Sequence, residues 1–137
     1  MEKSAPEGGQ RAASALASRL KSIDGFDFDE ALEMALGRIE FLAKMLGMFL
    51  ATHADDAAGL RQLHADGDHA GVGRLAHGLK GAAATIGAGR LARLASEVQT
   101  AARERGKVSA GDVTGLVQES ERFCAALRAA LDPPRDA

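Results

Sequence analysis

His77, Lys80 and Gly81 are the residues of this chain whose types and spacing could do chemistry together; they lie in the run L-A-H-G-L-K-G-A-A-A-T-I-G at 75–87. On a helix the third and fourth residues after a histidine share its face, so His77 has a lysine beside it and a glycine one turn on. That leaves an imidazole bare and next to a positive charge. Neutral imidazole is a nucleophile at physiological pH, because its reference pKa is about 6.5. The arrangement suits a histidine that must be reached by something large and negatively charged, such as a phosphoryl group carried on another protein. Glycine in a helix interior costs roughly 0.5 to 1 kcal/mol relative to alanine. Gly81 therefore needs a reason. The competing reading is an exposed histidine of no consequence in an alanine-rich helix, and a short motif alone does not separate the two.

The helix that must carry His77 starts after Asp68, a good N-cap. Val72, Leu75, Ala76, Leu79, Ala83 and Ile86 cluster on one side of it, and at ~100° per residue His77 sits roughly 160° from the centre of that stripe. The imidazole should point away from the core. Gly87 suits the left-handed position that ends a helix, with Gly89 in the turn. The next helix starts near position 90, places Leu91, Leu94, Ala95, Val98 and Ala102 inward, and ends at Gly106 after Arg103 and Arg105. Ser109 with Asp112 resembles a capping box. The last helix turns Val113, Leu116, Val117, Phe123, Cys124 and Leu127 to one face until Asp132-Pro133-Pro134 stops it.

Upstream, residues 1–9 are polar with Pro6 and a Gly-Gly pair and read as a disordered leader. Residues 10–23 have helical spacing of Ala12, Ala13, Leu16, Leu20 and Ile23. Asp24-Gly25 breaks that helix, Phe26 and Phe28 should tuck under the bundle, and Asp27 or Asp29 can cap a short helix running to about position 36. After Gly37 a long helix begins, with Ile39, Leu42, Leu46, Phe49 and Leu50 in one stripe and Phe41, Met45 and Met48 in a second. The second stripe needs the N-terminal helix, the Phe26/Phe28 loop or a partner to cover it; cover by the chain itself is the expectation. Asp55 and Asp56 cap or kink a continuation through Leu60 and Leu63. Four main helices with short connections predict an all-α fold: an antiparallel up-and-down four-helix bundle with an extra N-terminal helix and a short capping helix. The domain should span 10–132, with 133–137 a polar tail.

At 137 residues there is room for one domain and none for a nucleotide-binding kinase module besides. Hydrophobic residues make up 46%, with three prolines and no tryptophan or tyrosine, which favours helices. With 17 basic and 19 acidic residues, no overall basic field invites nucleic acid. A helix-turn-helix reading of the segment around Gly87 is disfavoured by that charge and by the length of the preceding helix, and only a basic stripe along Arg90 to Arg105 would revive it. The one cysteine, Cys124, excludes an internal disulfide and a cysteine metal cluster, and fits a reducing compartment as a small core residue. No signal peptide or run of ~20 apolar residues appears, so the chain reads as cytoplasmic, without a membrane partner. His69 and His77 are two turns apart, about 12 Å, too far to share a metal, and His53 and His64 form no chelate with His77. The acidic residues at 27, 29, 30, 55 and 56 fall at helix starts and read as caps and helix-dipole partners. The P-loop pattern G-x-x-x-x-G-K-[ST] is absent.

The run A-H-G-L-K-G-A-A-A-T-I-G-A-G-R-L at 76–91 resembles the signature of histidine-containing phosphotransfer (HPt) domains, an A-H-x-L-K-G core followed by small residues and a second glycine. The resemblance extends to I-D-G-F-D-F-D-E-A-L at 23–32, similar to the lead-in of these domains, and to M-F-L at 48–50, similar to the end of their next helix. It covers about 23–131. It implies that His77 accepts a phosphoryl group, that Lys80 lies beside it electrostatically, and that Gly81 leaves room for an incoming receiver domain. Gln99 falls where some members place a glutamine that hydrogen-bonds near the histidine. Arg74 would add charge at the docking rim or is an ordinary solvated charge, the reading the sequence favours; Ala84 joins the candidate docking surface among the small residues after Gly81.

With no carboxylate cluster beside His77, the Mg²⁺ for the transfer should come from the partner receiver domain. The resemblance thus implies a stoichiometric carrier of a multi-step phosphorelay, not an enzyme, monomeric, meeting response-regulator receivers or a hybrid histidine kinase. The alternative is a helical adaptor that docks on a receiver or kinase without transfer. The initiator methionine and polar leader read as a free-standing protein.

Overall fold

A computed structural model describes residues 7–133. Over that span the chain is all α: α1 (Glu7–Lys21), α2 (Phe28–Met34), α3 (Ile39–His53), α4 (Asp56–Ala65), α5 (His69–Thr85), α6 (Gly89–Arg105) and α7 (Ala110–Leu131). Helices α3 and α4 are the two halves of the first bundle helix, broken at positions 54–55; α5, α6 and α7 complete the antiparallel bundle. The most extensive packing is between α5 and α6, and α7 packs on α4, α6, α3 and α1.

Local chemistry sets most boundaries. Asp27 Oδ1 accepts from Glu30 N (3.0 Å), Asp68 Oδ1 from Gly71 N (2.8 Å) and Ser109 Oγ from Asp112 N (3.1 Å), so each satisfies an otherwise orphaned helix N–H. Gly87 has φ +80°, and a Cβ there would lie 3.0 Å from the Asp27 carbonyl oxygen. Its own carbonyl accepts from Asp27 N at 2.9 Å. The α5–α6 turn is thereby stitched to the cap of α2, which places the short helix across that end of the bundle.

Three expectations change. Helix α1 begins at Glu7, so positions 7–9 are helical, each added residue of an established helix gaining one bond; positions 1–6 of the leader and 134–137 of the tail lie outside the described residues. At the break between α3 and α4, Asp55 makes no side-chain cap, and Asp56 instead meets His53 Nδ1 at 2.7 Å. The chain does kink there, but the acidic pair does not cap. The third change is the second stripe of α3: Met45 is half-buried, while Phe41 is 43% and Met48 70% exposed. No described element covers the outer part of the stripe, because α1 lies chiefly along α7, where Arg19 Nε donates to the Ala130 carbonyl (2.8 Å). The Arg38 guanidinium stacks over Phe41 at 5.1 Å.

The core is built on Phe123, fully buried, with the rings of Phe26 at 6.0 Å and Phe49 at 5.9 Å. Both loop phenylalanines tuck in as expected, and Cys124 is buried, which pushes its thiol pKa up. Glu119 had no role in the sequence reading; it is 6% exposed and tied to Arg122 at 2.6 and 2.9 Å, with Arg90 at 3.7 Å. Arg122 also donates to the Asp24 carbonyl and Arg90 to the Asp24 carboxylate, both at 2.8 Å. The Arg90 guanidinium holds the Asp24 carboxyl below its ordinary pKa. This cluster clasps the α1–α2 linker to α6 and α7.

A second clasp closes the far end. His64 Nε2 donates to the Val108 carbonyl, and Val108 N donates to His69 Nδ1, both at 3.0 Å, with the rings edge to face at 5.4 Å. Val108 is buried. His69→Ala should strand its N–H at a cost of about 1–3 kcal/mol, read as a lower urea midpoint; an unchanged midpoint would show that this bond does not stabilise the fold.

Candidate functional site

On α5 the Asp68 cap fixes the start of the helix and Val72, Ala76, Leu79 and Ala83 are buried, so His77 emerges exposed on the outer face. Which residue of α6 meets it is decided by backbone approach. Gly73 is buried, and a Cβ there would come within 2.7 Å of Ala102 Cβ, so the two helices touch one turn before His77. From that contact the antiparallel register carries Gln99, three residues back from Ala102, up to His77, four residues on from Gly73. Gln99 Nε2 lies 2.8 Å from His77 Nδ1, and Lys80 Nζ donates to Gln99 Oε1 at 3.4 Å. Lys80, Gln99 and His77 thus form one chain of hydrogen bonds, with Lys80 and Gln99 half-buried.

Two shallow grooves flank this chain. One, of about 610 Å³, lies between α5 and α6 and is lined by His77, Gln99, Arg74 and Arg103 with the small residues Gly73 and Ala102. The other, of about 330 Å³, lies between α3 and α5 and is mostly apolar, with Met45, Met48, Thr52, Gly81 and Thr85 among its lining residues. Gly81 is exposed, and a Cβ there would meet nothing within 4 Å. The fold itself therefore does not require this glycine. Thr85 Oγ1 donates to the Gly81 carbonyl (2.9 Å), the ordinary back-bond of a helical threonine. Arg74 is exposed and stands in the first groove; Ala84 is exposed and lines neither.

Sequence reasoning gave Arg103 only a helix-terminal role and passed over Gly73. Arg103 follows Gln99 by four residues and so shares its face of α6, a relation that could have linked it to the histidine. Three of the four arginines of α6 are engaged, Arg90 with Asp24, Arg93 with Glu97 (3.4 Å) and Arg103 with Glu104 (4.0 Å). His53, His64 and His69 each have a ring nitrogen engaged elsewhere. Among the described residues no group of three or more His, Cys, Asp or Glu could hold a metal ion, and no helix is long and apolar enough to cross a membrane.

The helical bundle thus presents one exposed histidine beside a lysine, with a clear glycine a turn further on. The model of the Hpt domain family matches residues 44–133, well over half of the chain, and the chain belongs to that family. It is a histidine-phosphotransfer protein of a two-component relay, and the family implies interaction with receiver and histidine-kinase domains. Neither the curated proteins nor the solved structures contain a match. Helices α1 and α2 and the first residues of α3 precede the matched region.

Proposed function

We propose that His77 is the phosphoacceptor, taking a phosphoryl group from the aspartate of one response-regulator receiver domain and passing it to another, or exchanging it with a hybrid kinase. The observation that supports this reading is the exposed imidazole held at Nδ1 by Gln99, with Lys80 one contact away. Among the described residues Nε2 makes no hydrogen bond and is the nitrogen open to a partner. Transfer is in line, with the work done by positioning and charge neutralisation. Lys80 faces the phosphoryl oxygens; Arg74 gives the rim positive charge; Gly81 and Ala84 belong to the surface that the receiver covers. Mg²⁺ is supplied by the acidic site of the receiver, since His77 has no carboxylate cluster about it. The carrier acts as a monomer in the cytoplasm, where receivers and their kinases exchange phosphate, with no nucleic acid or membrane partner.

Incubation with phosphorylated receiver domains should move acid-labile label onto this chain; no transfer from any receiver of the source organism overturns the reading. Gly81→Leu separates docking from folding. A Cβ fits the bundle, and leucine is the better helix former by up to about 0.8–1.0 kcal/mol, so the thermal midpoint should hold or rise. Receiver-dependent transfer should nevertheless fall about tenfold, the equivalent of ~1.4 kcal/mol of docking. Normal transfer in that variant would remove the clearance role.

The exposed Met48 and the apolar groove beside Gly81 favour one other reading, an adaptor that docks without transfer. In that case His77→Gln leaves cellular activity intact, whereas Met45→Glu or Met48→Glu destroys it.

A further inference from the structure

Gln99 stands between two neighbours with opposite demands. The Lys80 ammonium only donates, so it draws the amide oxygen, and Oε1 does lie toward Nζ at 3.4 Å. That leaves the amide NH₂ facing His77 Nδ1 at 2.8 Å. An amide NH₂ also only donates, so Nδ1 turns its lone pair to Gln99 and the single proton of the neutral ring sits on Nε2. Nε2, the nitrogen open to a partner, then has no in-plane lone pair with which to attack phosphorus.

We propose that Lys80 and Gln99 hold His77 in an idle tautomer and that the phosphoryl group of a docked partner releases it. The proposal rests on the carrier role of His77 given above. An arriving phosphoryl group draws the Lys80 ammonium from its long contact with a neutral amide into a charge-assisted bond, roughly twice as strong. Gln99 then turns about its last torsion, which is broad and two-fold, and presents Oε1 to Nδ1. Nε2 gives a proton to water and Nδ1 takes one from water, so the ring stays neutral. The Nε2 lone pair attacks phosphorus, the P–N bond forms, and the P–O bond to the aspartate breaks with its electrons left on the carboxylate. The product is a ring cation whose Nδ1–H donates to Gln99 Oε1. Gln99 is in this account a positioning residue, and Lys80 couples the arrival of charge to the choice of nucleophilic nitrogen.

The tautomer can be read directly on the full chain labelled with ¹⁵N-histidine, by two-bond ¹H–¹⁵N correlations in a series of rising pH followed until the spectrum no longer changes. The His77 signals are assigned by their loss in His77→Gln. The free wild type should show Nε2–H. Lys80→Met should shift the population toward Nδ1–H, and Gln99→Glu, whose carboxylate only accepts, should make Nδ1–H the major form. After transfer from a receiver, phosphorus should be on Nε2 with the proton on Nδ1. Nδ1–H in the free wild type, an unmoved tautomer in Lys80→Met, or phosphorus on Nδ1 would each overturn the gate. These readings of the free protein need no phosphodonor. A wild type with the expected tautomer that accepts label from no receiver overturns the carrier role and the gate with it. A labelled wild type with the wrong tautomer overturns the gate alone.

Discussion

His77→Gln should reduce receiver-dependent phosphorylation of this chain to background while leaving the bundle folded. Glutamine keeps a polar side chain of similar reach, but its amide nitrogen is delocalised into the carbonyl and is no nucleophile. The ring is exposed and contributes nothing to the core, so the change in stability should stay within about 0.5 kcal/mol, as for surface sites in general. The assay is transfer of acid-labile label from a phosphorylated receiver, run beside thermal unfolding of the same sample. Label that survives in the variant would mean a different acceptor. The other histidines are poor replacements: His53 is joined to Asp56, and His64 and His69 are joined to Val108, all three half-buried. Each is less accessible to a docked receiver than the exposed His77.

The largest effect on stability should come from Phe123→Ala. Phe123 has no exposed surface, and its ring meets Phe26 from the α1–α2 linker and Phe49 from α3. Removing it deletes the group at which three parts of the chain converge and leaves a cavity that α7 cannot collapse to fill, costing about 3–5 kcal/mol. Against a typical total of about 5–15 kcal/mol this is a large fraction. Urea unfolding should show a much lower midpoint with little change in slope. A loss below about 1 kcal/mol would mean that the neighbouring rings relax into the space, contrary to the close packing of protein interiors. Met48 makes the contrast: it is 70% exposed, so its truncation should leave stability nearly unchanged and act, if at all, on docking.

The two variants probe parts of the molecule that were legible in the sequence to different degrees. The helix that holds His77, its Asp68 cap, its glycine end and the outward direction of the ring follow from periodicity and capping, which are local. The buried stripes of α5, α6 and α7 follow in the same way, as do the caps Asp27 and Ser109. What periodicity does not supply is the partner of each face. The bond from Gln99 to His77 was anticipated only through resemblance to a family; in the molecule it depends on Gly73 letting α5 approach Ala102 of α6. The clasp of Glu119 with Arg122 and Arg90 was invisible because a glutamate in a helix reads as solvated until another element covers it.

The second stripe of α3 failed for the converse reason. Phe41 and Met48 have the spacing of a buried face, but α1 lies chiefly along α7, and spacing cannot say where a neighbouring helix will lie. The sequence by itself determined which segments are helical, roughly where they stop, and that an imidazole, a lysine and a bare glycine share an outer face. Tertiary structure alone decided which side chain holds that imidazole, which charges surround it and which apolar surface stays open. Helical faces are set by bonds between residues four apart, whereas these contacts join residues some twenty or more apart, whose meeting depends on how whole helices pack.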